Sequence, residues 1–362
     1  MTLLVFVGTK AQYIKTAPIL LELDRRRVEY RLIYTGQHSE TFSDLEAGFG
    51  TRPADECWVP NHEADTHTTF FQWSLRFWLR AWRWRMQGGH RSASMVLVHG
   101  DTASTLYCAA LARICGLPVC HVEAGLRSQS LTDPFPEEII RRIVSRLTSL
   151  HCAPSADAVG NLAGVRGRVV DSHGNTLIDA LGVSLQRVDE SPRTPDYAVV
   201  SMHRNENLSN RRDFDMLMSQ ILEAARTVPI RFVLHPATRA KLASTGWGER
   251  LNACPGITLL ARMGHSEFLD LLVGSNFLLT DGGSNQEEAA VLGIPCLLLR
   301  RHTERPDGIG DMVELSGLDP DVIQRFIARH AAKRWVRRPI PSVSPSRRIV
   351  DALVGLPANQ EG

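Results

Sequence analysis

Several features that would point to a particular class of protein are missing from this 362-residue sequence. No stretch reaches the 18 or so consecutive apolar residues of a membrane-spanning helix. The seven cysteines form no CxxC pair and no Cys/His ligand spacing, which argues against a disulfide framework and against a structural zinc site. Lys and Arg number 41 against 39 Asp and Glu, so a net charge of +2 gives no general case for a nucleic-acid partner. We therefore expect a reduced, cytoplasmic, globular protein.

Short apolar runs alternate with helical stretches along nearly the whole chain, an order typical of parallel sheets covered by helices. The first run, Leu3–Val7, has no basic leader and meets Gly8 at once, which predicts a strand rather than a signal peptide. A helix over Ala103–Ile114 joins the third strand to the fourth. The predicted strands are Leu3–Val7, Arg31–Tyr34, Met95–His99, Pro118–Val122, Tyr197–Met202, Arg231–Leu234, Ile257–Leu260, Phe277–Leu279 and Cys296–Leu299.

The α/β pattern stops and restarts near the middle of the chain. Residues 189–196 carry two prolines and no apolar residue, which predicts a linker or a domain edge. The expected fold class is α/β, with two Rossmann-like doubly wound domains, 1–180 and 181–340, that face a cleft and bind ligands at the carboxyl ends of their strands. Residues 341–362 predict one last helix, which could cross back to the first domain.

A glycine turn after the first strand is the first candidate for binding an anion. In Gly8-Thr9-Lys10 the glycine lets a ligand approach the backbone, and Lys10 and Lys15 could bind a phosphate. Plain strand-to-helix turns often need the same glycine, so this turn alone leaves both interpretations open.

The segment 281–288 is a more specific candidate. Two glycines followed by Ser284 form a backbone nest at the start of a helix, which is the usual physical solution for a diphosphate. Glu288 lies in the first turns, where the helix dipole favours a carboxylate in any case. The combination favours a nucleotide diphosphate over a plain tight turn.

Three carboxylates lie where α/β folds present catalytic groups. Asp101 and Glu123 each end an apolar run, and Glu137 opens a helix. Taken singly, Asp101 could be a helix cap and Glu137 could pair with Arg141 four residues later. Three together are better explained by acid/base chemistry.

Two histidines of the second half, His203 and His235, each follow an apolar run directly. A lone histidine is more often structural, but two at strand ends favour a polar cleft. Metal binding is the weaker interpretation, because neither histidine has a second ligand two or four residues away.

Residues 70–86 predict a helix that is apolar on two faces. No acidic residue occurs between Asp65 and Asp101, while five arginines do. One face should meet the sheet, and we expect the other to meet a second subunit or a membrane surface. Burial of both faces within the domain is the alternative. The two faces carry Phe71, Leu75, Trp78 and Trp82, and Trp73, Phe77 and Trp84.

Eight strings occur in the order and spacing of one known family. They are GTKAQYIKTAPIL, TGQH, VLVHGDT, HVEAGLRS, PFPEEIIRR, GNTLIDAL, MHRNEN and DGGSNQEEAAVLGIPCLLLRRHTERP. Over about residues 2–310 the sequence resembles the non-hydrolysing UDP-N-acetylglucosamine 2-epimerases, a branch of the GT-B superfamily.

The resemblance implies inversion at C2 of UDP-N-acetylglucosamine to give UDP-N-acetylmannosamine, by elimination and re-addition of UDP. It implies no metal, no nicotinamide or other cofactor, and a homodimer through residues 70–86. A GT-B glycosyltransferase that uses a UDP-sugar donor, with a lipid-linked acceptor as one option, is the rival function.

The resemblance also assigns roles to the candidate residues. The catalytic set is Asp101, Glu123 and Glu137, with His203 assisting departure of the leaving group. The substrate-binding set is Lys10, Lys15, Arg141, Arg204, His235, Gly283, Ser284 and Glu288, in which Arg141 orients Glu137 and Glu288 takes the ribose hydroxyls.

The sequence differs from the family strings at four positions within or beside these candidate sites. Lys10 and Gln12 stand where the family has Arg and Glu, Ile140 stands where it has Asn, and Gly282 stands where it has Ser. Arg and Lys are not equivalent at a phosphate, because only Arg offers a planar fork of donors.

Overall fold

The computed structural model describes residues 2–37, 42–60, 62, 64, 66–128, 136–188, 196–303 and 307–355. The chain divides into two compact units, one of Met1–Val183 with the segment that begins at Pro341, and one of Ser184–Ile340. The predicted linker 189–196 lies outside the described residues except for Asp196. No helix in the described part of the chain is long and apolar enough to cross a bilayer.

The first unit contains a seven-stranded parallel sheet in the order β3-β2-β1-β4-β5-β6-β7. Its strands are β1 (Thr2–Val7), β2 (Tyr30–Tyr34), β3 (Glu56–Cys57), β4 (Ala93–His99), β5 (Val119–Val122), β6 (Leu150–Ala153) and β7 (Arg168–Asp171). The helices along this part are α1 (Lys10–Arg25), α2 (Phe42–Phe49), α3 (His67–Met86), α4 (Ala103–Ile114), α5 (Glu137–Leu147), α6 (Ala156–Gly160) and α7 (Leu177–Leu185).

The second unit contains a six-stranded parallel sheet in the order β10-β9-β8-β11-β12-β13. Its strands are β8 (Ala198–Met202), β9 (Ile230–Leu234), β10 (Ile257–Ala261), β11 (Leu278–Thr280), β12 (Cys296–Leu298) and β13 (Val313–Leu315). Its helices are α8 (Asn205–Ser209), α9 (Arg211–Ala224), α10 (Pro236–Thr245), α11 (Trp247–Asn252), α12 (His265–Val273), α13 (Gly283–Leu292) and α14 (Pro320–His330), and α15 (Pro345–Leu353) packs against α1 in the first unit.

Both sheets are doubly wound, and this confirms the predicted α/β class with two Rossmann-like units. In each sheet the strand order reverses beside the first strand, between β1 and β4 and between β8 and β11. Ligands of such folds bind outside the carboxyl ends of the strands at this reversal point. The fold therefore directs attention to the segments that follow these four strands.

The predicted strands are all present, with ends within two residues of the expected ones, and α4 has the predicted bounds. Four strands were not predicted: β3, β6, β7 and β13. They have two to four residues each, and each contains a charged residue or a histidine that interrupts the apolar run.

The helix α3 has the two apolar faces that the sequence indicates. Trp73, Phe77 and Trp84 are buried in the core of the first sheet, where Nε1 of Trp73 donates to the carbonyl of Thr35 at 3.0 Å. The opposite face is exposed, with Trp82 at 60%. Burial of both faces within the domain is therefore wrong, whereas subunit pairing through the exposed face stays a prediction.

Two buried histidines lie side by side on β5 and β6. His121 pairs with His151 across the strands, and each Nε2 donates to a backbone carbonyl, of Gly100 at 2.7 Å and of Arg166 at 3.0 Å. Burial lowers the pKa of both, that of His121 to about 4. Both rings are therefore neutral at pH 7.

We expect His121 to make the first unit less stable in acid. In the unfolded state the pKa of this histidine is near 6.5, whereas in the folded state it is about 4. Between these two pH values the unfolded state binds more protons than the folded state, so the free energy of unfolding decreases as the pH falls. The difference in free energy of unfolding between the parent and His121→Gln should narrow by about 2 kcal/mol from pH 7 to pH 4.5, measured by urea titration with tryptophan fluorescence. His302→Gln, at an exposed position, is the control and should leave the pH dependence unchanged.

Candidate active site

The turn after β1 is shaped by packing against α4. A Cβ at Gly8 would collide with the side chain of Ser104, so the glycine is needed whether or not a ligand approaches. Thr9 caps α1, and Lys10 is the first residue of that helix and is half-buried.

Gln12 connects this turn to the end of β4. Its Oε1 accepts from the backbone N–H of Gly8 at 2.9 Å and of Thr9 at 3.1 Å. Its Nε2 donates to the carbonyl of His99 at 2.6 Å and to the hydroxyls of Thr102 and Thr105 at 2.9 and 2.8 Å. Gln12 is 5% exposed, so its amide has no water to bond to. Its oxygen and its nitrogen instead find hydrogen-bond partners within the protein interior.

Glu123 follows β5 directly in a left-handed backbone conformation, with φ at 65°. A non-glycine residue pays strain for this conformation, and such strain concentrates at functional sites. Lys15 Nζ lies 2.7 Å from Oε1 of Glu123, and the side-chain amide of Asn175 donates to the same oxygen. His99 Nε2 lies 3.3 Å from Oε2. Lys15 and Asn175 thus hold Oε1 of Glu123 in a largely buried place, and His99 lies near Oε2.

Arg141 on α5 binds Asp101, and Glu137 lies on the same helix. The guanidinium of Arg141 binds Oδ2 of Asp101, with Nε at 2.8 Å and Nη2 at 2.6 Å. Glu137 lies one turn earlier in the first turn of the same helix and is half-buried. Glu138, which is fully buried, accepts from Nε of Arg142 at 2.8 Å and lies 3.6 Å from Nη1 of Arg141. The start of α5 is therefore fixed beside the end of β4.

In the second unit, a buried aspartate joins the ends of β8 and β11. Asp281 accepts from the backbone N–H of His203 at 2.9 Å and of Arg204 at 2.9 Å, and from Nδ2 of Asn207 at 3.0 Å. The ring of His203 stacks on that of His235, with 4.4 Å between centroids. Asp281 thus fixes the loop that carries both His203 and Arg204.

The electrostatic surroundings of His203 favour its neutral form. Burial lowers the pKa of His203, Asp281 raises it, and Arg204 and Arg262 lower it again, with a net shift below the usual range. A neutral imidazole is therefore present at pH 7.

The predicted glycine pair lies at the start of α13. Gly282 occupies the N-cap position, and no side chain of the described residues caps this helix. Gly283 is buried and Ser284 is half-buried at its first positions. Helix N-termini of this kind present backbone N–H groups to an anion. A Cβ at Gly282 would lie 3.1 Å from Cε1 of His203, so a serine here would require a small shift of that ring.

Glu288 lies one turn further along α13 and is 2% exposed. His265 of α12 contacts its Oε1 through Nε2 at 2.9 Å, while Nδ1 of His265 lies 3.3 Å from the hydroxyl of Ser184. Oε2 of Glu288 is buried with no hydrogen-bond partner among the described residues. A buried carboxylate oxygen of this kind needs a donor.

The structure brings three pairs of the predicted site residues into contact: Lys15 with Glu123, Asp101 with Arg141, and His203 with His235. Sequence reasoning missed Asn175, His99, Asp281 and His265 as site residues. The first three lie within quoted strings, so their signal was present, whereas His265 had none. Within the described ranges, no group of three or more His, Cys, Asp or Glu residues could hold a metal ion.

Comparison with known proteins identifies the family. The sequence profile of the UDP-N-acetylglucosamine 2-epimerases matches residues 21–353. The chain belongs to this family. Among its relatives, the UDP-N-acetylglucosamine 2-epimerase of Neisseria meningitidis serogroup A is 31% identical over 351 residues, which cover 90% of each chain. That of Methanocaldococcus jannaschii is 28% identical over 327 residues, 85% of this chain and 86% of that protein.

Solved structures of the UDP-N-acetylglucosamine 2-epimerase family have the same fold. The Methanocaldococcus jannaschii enzyme in complex with UDP-GlcNAc and UDP superposes with a TM-score of 0.82 at 26% identity, covering 98% of this chain and 100% of that one. The Neisseria meningitidis enzyme bound to UDP-GlcNAc gives a TM-score of 0.80 at 27% identity, with the same coverage.

We predict that Gln12 stabilises the first unit through its amide. Gln12→Ala removes one acceptor and one donor and leaves buried backbone groups unsatisfied, which should lower the free energy of unfolding by at least about 3 kcal/mol. Gln12→Glu restores the family residue and the acceptor, but places a carboxylate oxygen against the carbonyl of His99. Its destabilisation should shrink at acid pH, where the protonated carboxyl can donate.

Urea titration followed by tryptophan fluorescence measures both effects. The matched control is Gln72→Ala, at an exposed position of α3, which should change stability by less than about 0.5 kcal/mol. Equal stability of Gln12→Ala and the control would contradict the assignment.

Proposed function

We propose that the protein epimerises UDP-N-acetylglucosamine at C2 to UDP-N-acetylmannosamine. The observation that carries this proposal is the pair of acidic residues at the ends of adjacent strands, Asp101 held by Arg141 and Glu123 held by Lys15. Membership of the family supports the same activity, and relatives have been solved with UDP-GlcNAc bound.

The reaction demands a base that is both ionised and positioned. The C2 hydrogen of the sugar is barely acidic, so its removal needs a carboxylate in close contact and assisted departure of UDP. The ammonium of Lys15 at 2.7 Å stabilises the ionised form of Glu123, and the side-chain amide of Asn175 restricts its orientation. Arg141 binds Oδ2 of Asp101 and fixes the position of that carboxylate.

The proposed route has two stages, elimination of UDP and its re-addition. A carboxylate takes the C2 proton, the C1–O bond to UDP breaks with its electron pair on the diphosphate, and a glycal remains. A second carboxyl group, in its protonated form, then delivers a proton to C2 from the opposite face, while the diphosphate oxygen attacks C1. Inversion thus needs acid/base groups on both faces of the sugar, and Asp101, Glu123 and Glu137 are the groups we assign to this work.

We further propose that the second unit binds UDP. The uncapped start of α13 at Gly283 and Ser284 offers N–H groups to the diphosphate, and the neutral His203 and Arg204 lie at the neighbouring loop. The buried Oε2 of Glu288 is suited to accept from the ribose hydroxyls. His235, whose ring stacks on that of His203, completes the set in this unit.

The carboxylates provide the first test of function. Asp101→Asn, Glu123→Gln and Glu137→Gln should each lower turnover by at least about 10²-fold, because each removes an acid or a base. The assay incubates the protein with UDP-N-acetylglucosamine alone in D₂O and follows deuterium at C2 and the C2 configuration by NMR.

Asp157→Asn, at an exposed position of α6, is the control and should retain parental turnover. Full activity of all three site variants would remove the epimerase assignment. Transfer of the sugar to an acceptor without any C2 inversion would favour a glycosyltransferase instead.

The nucleotide site has its own test. Glu288→Gln should weaken UDP binding by roughly tenfold in calorimetry, because a neutral amide accepts from the ribose hydroxyls less strongly than a carboxylate. Glu249→Gln, at an exposed position of α11 in the same unit, should bind UDP like the parent. Equal affinity of Glu288→Gln and the parent would place the nucleotide elsewhere.

A further inference from the structure

A histidine of α12 joins two buried side chains from other helices. Nε2 of His265 lies 2.9 Å from Oε1 of Glu288 on α13, and Nδ1 lies 3.3 Å from the hydroxyl of Ser184 near the end of α7. All three residues belong to the second unit, and their exposed fractions are 9%, 2% and 1%. The contacts are therefore made away from bulk water, where a hydrogen bond is electrostatically stronger than at the surface.

The chemistry of the three groups determines which ring nitrogen carries the proton. A carboxylate oxygen only accepts, so Nε2 of a neutral His265 donates to Oε1 of Glu288, and Nδ1 then accepts from the hydroxyl of Ser184. The N–H at Nε2 compensates part of the negative charge of Glu288, whose burial without a donor would be costly. His265 thus stabilises Glu288 as a carboxylate.

The start of α12 holds His265 in place. His265 is the first residue of this helix, and the carboxylate of Glu267 accepts from the backbone N–H of Gly264 at 3.1 Å. Leu269 and Leu272, one and two turns further on, are fully buried. The ring of His265 therefore projects from a fixed point of the backbone, so its contact with Glu288 restricts that side chain.

Holding one oxygen of Glu288 also places the other. The carboxylate is planar, so the contact at Oε1 leaves Oε2 in a defined position, where it is buried with no hydrogen-bond partner among the described residues. A side chain that is ordered before its ligand arrives loses less conformational entropy on binding. We propose that His265 is a positioning residue that orients Glu288 towards the ribose hydroxyls of the nucleotide, an inference that rests on the nucleotide site proposed above.

The effect of His265 should be confined to ligands that have ribose hydroxyls. A site that is built to hydrogen-bond a hydroxyl rejects the analogue that lacks it, because a buried polar group is then left unpaired. The ratio of the affinities for UDP and for 2′,3′-dideoxyuridine diphosphate therefore reports whether Glu288 is correctly placed. A histidine that only supports the fold would affect the two ligands equally.

Calorimetry with these two ligands tests the proposal on the full chain. The parent should bind UDP at least about tenfold more tightly than the dideoxy analogue. His265→Phe keeps a ring without a donor, and the shorter amide of His265→Asn does not reach Glu288. Both variants should reduce the preference for UDP to less than about threefold and bind the analogue like the parent. His265→Gln has an amide N–H in place of Nε2–H and should keep the preference within about threefold of the parental value.

The matched control is a histidine at the other end of the same helix. His330 is half-buried in the second unit and borders the cavity beside Gly293, the C-cap of α13. His330→Phe should keep the parental preference for UDP. Equal weakening of both ligands by His265→Phe and His265→Asn would overturn the positioning role.

Glu288→Gln separates failure of this inference from failure of the nucleotide site. If Glu288→Gln removes the preference for UDP while His265→Phe and His265→Asn keep it, the positioning role is wrong and the nucleotide site stands. If the parent binds UDP and the dideoxy analogue equally, the ribose does not lie on Glu288. That result would overturn both the inference and the proposed nucleotide site.

Discussion

In a parallel sheet the carboxyl ends of all strands lie at one edge. The arrangement of the site residues in both units follows from that constraint. In the first unit, Asp101 follows β4 and Glu123 follows β5, so two carboxylates far apart from Lys15 in sequence reach the neighbourhood of α1. In the second unit, the ends of β8 and β11 meet at the reversal of strand order, and Asp281 closes that junction. The chemistry of each unit is therefore confined to one edge of its sheet.

Buried charge at these edges has two distinct uses. Asp281 accepts three hydrogen bonds from one loop and is fully buried, so it serves to hold the backbone of His203 and Arg204. Glu138 holds the start of α5 in a similar way. Glu123 differs, because Lys15 and Asn175 bind it through their side chains rather than through backbone N–H groups. This difference fits the acid/base role that we propose for Glu123.

The sequence was most informative where a signal is local. The βαβ unit around α4 and the helix start at Gly283 were predicted from adjacent residues, and both are present in the structure. Contacts across the chain were not predictable. Lys15 and Glu123 are 108 positions apart, and the partner of Glu288 is His265, which no motif marked. Short strands such as β3 and β13 were missed because they have only two and three residues and each contains a glutamate, so no periodic apolar run marks them. They are defined by their pairing within the sheet.

Two of the residues that differ from the family strings, Gln12 and Ile140, fit the groups that surround them in this structure. Gln12 replaces a glutamate at a place where its amide meets a backbone carbonyl, a contact that an ionised carboxylate cannot make. Ile140 replaces an asparagine and is 5% exposed in the core beneath α5, where an unpaired amide would be costly. Neither change touches Asp101, Glu123 or Glu137, the three residues to which we assign the acid/base steps. The departures at Lys10 and Gly282 lie instead in the turns proposed to bind the nucleotide, so the variation concerns the packing and the phosphate contacts rather than the proposed proton transfers.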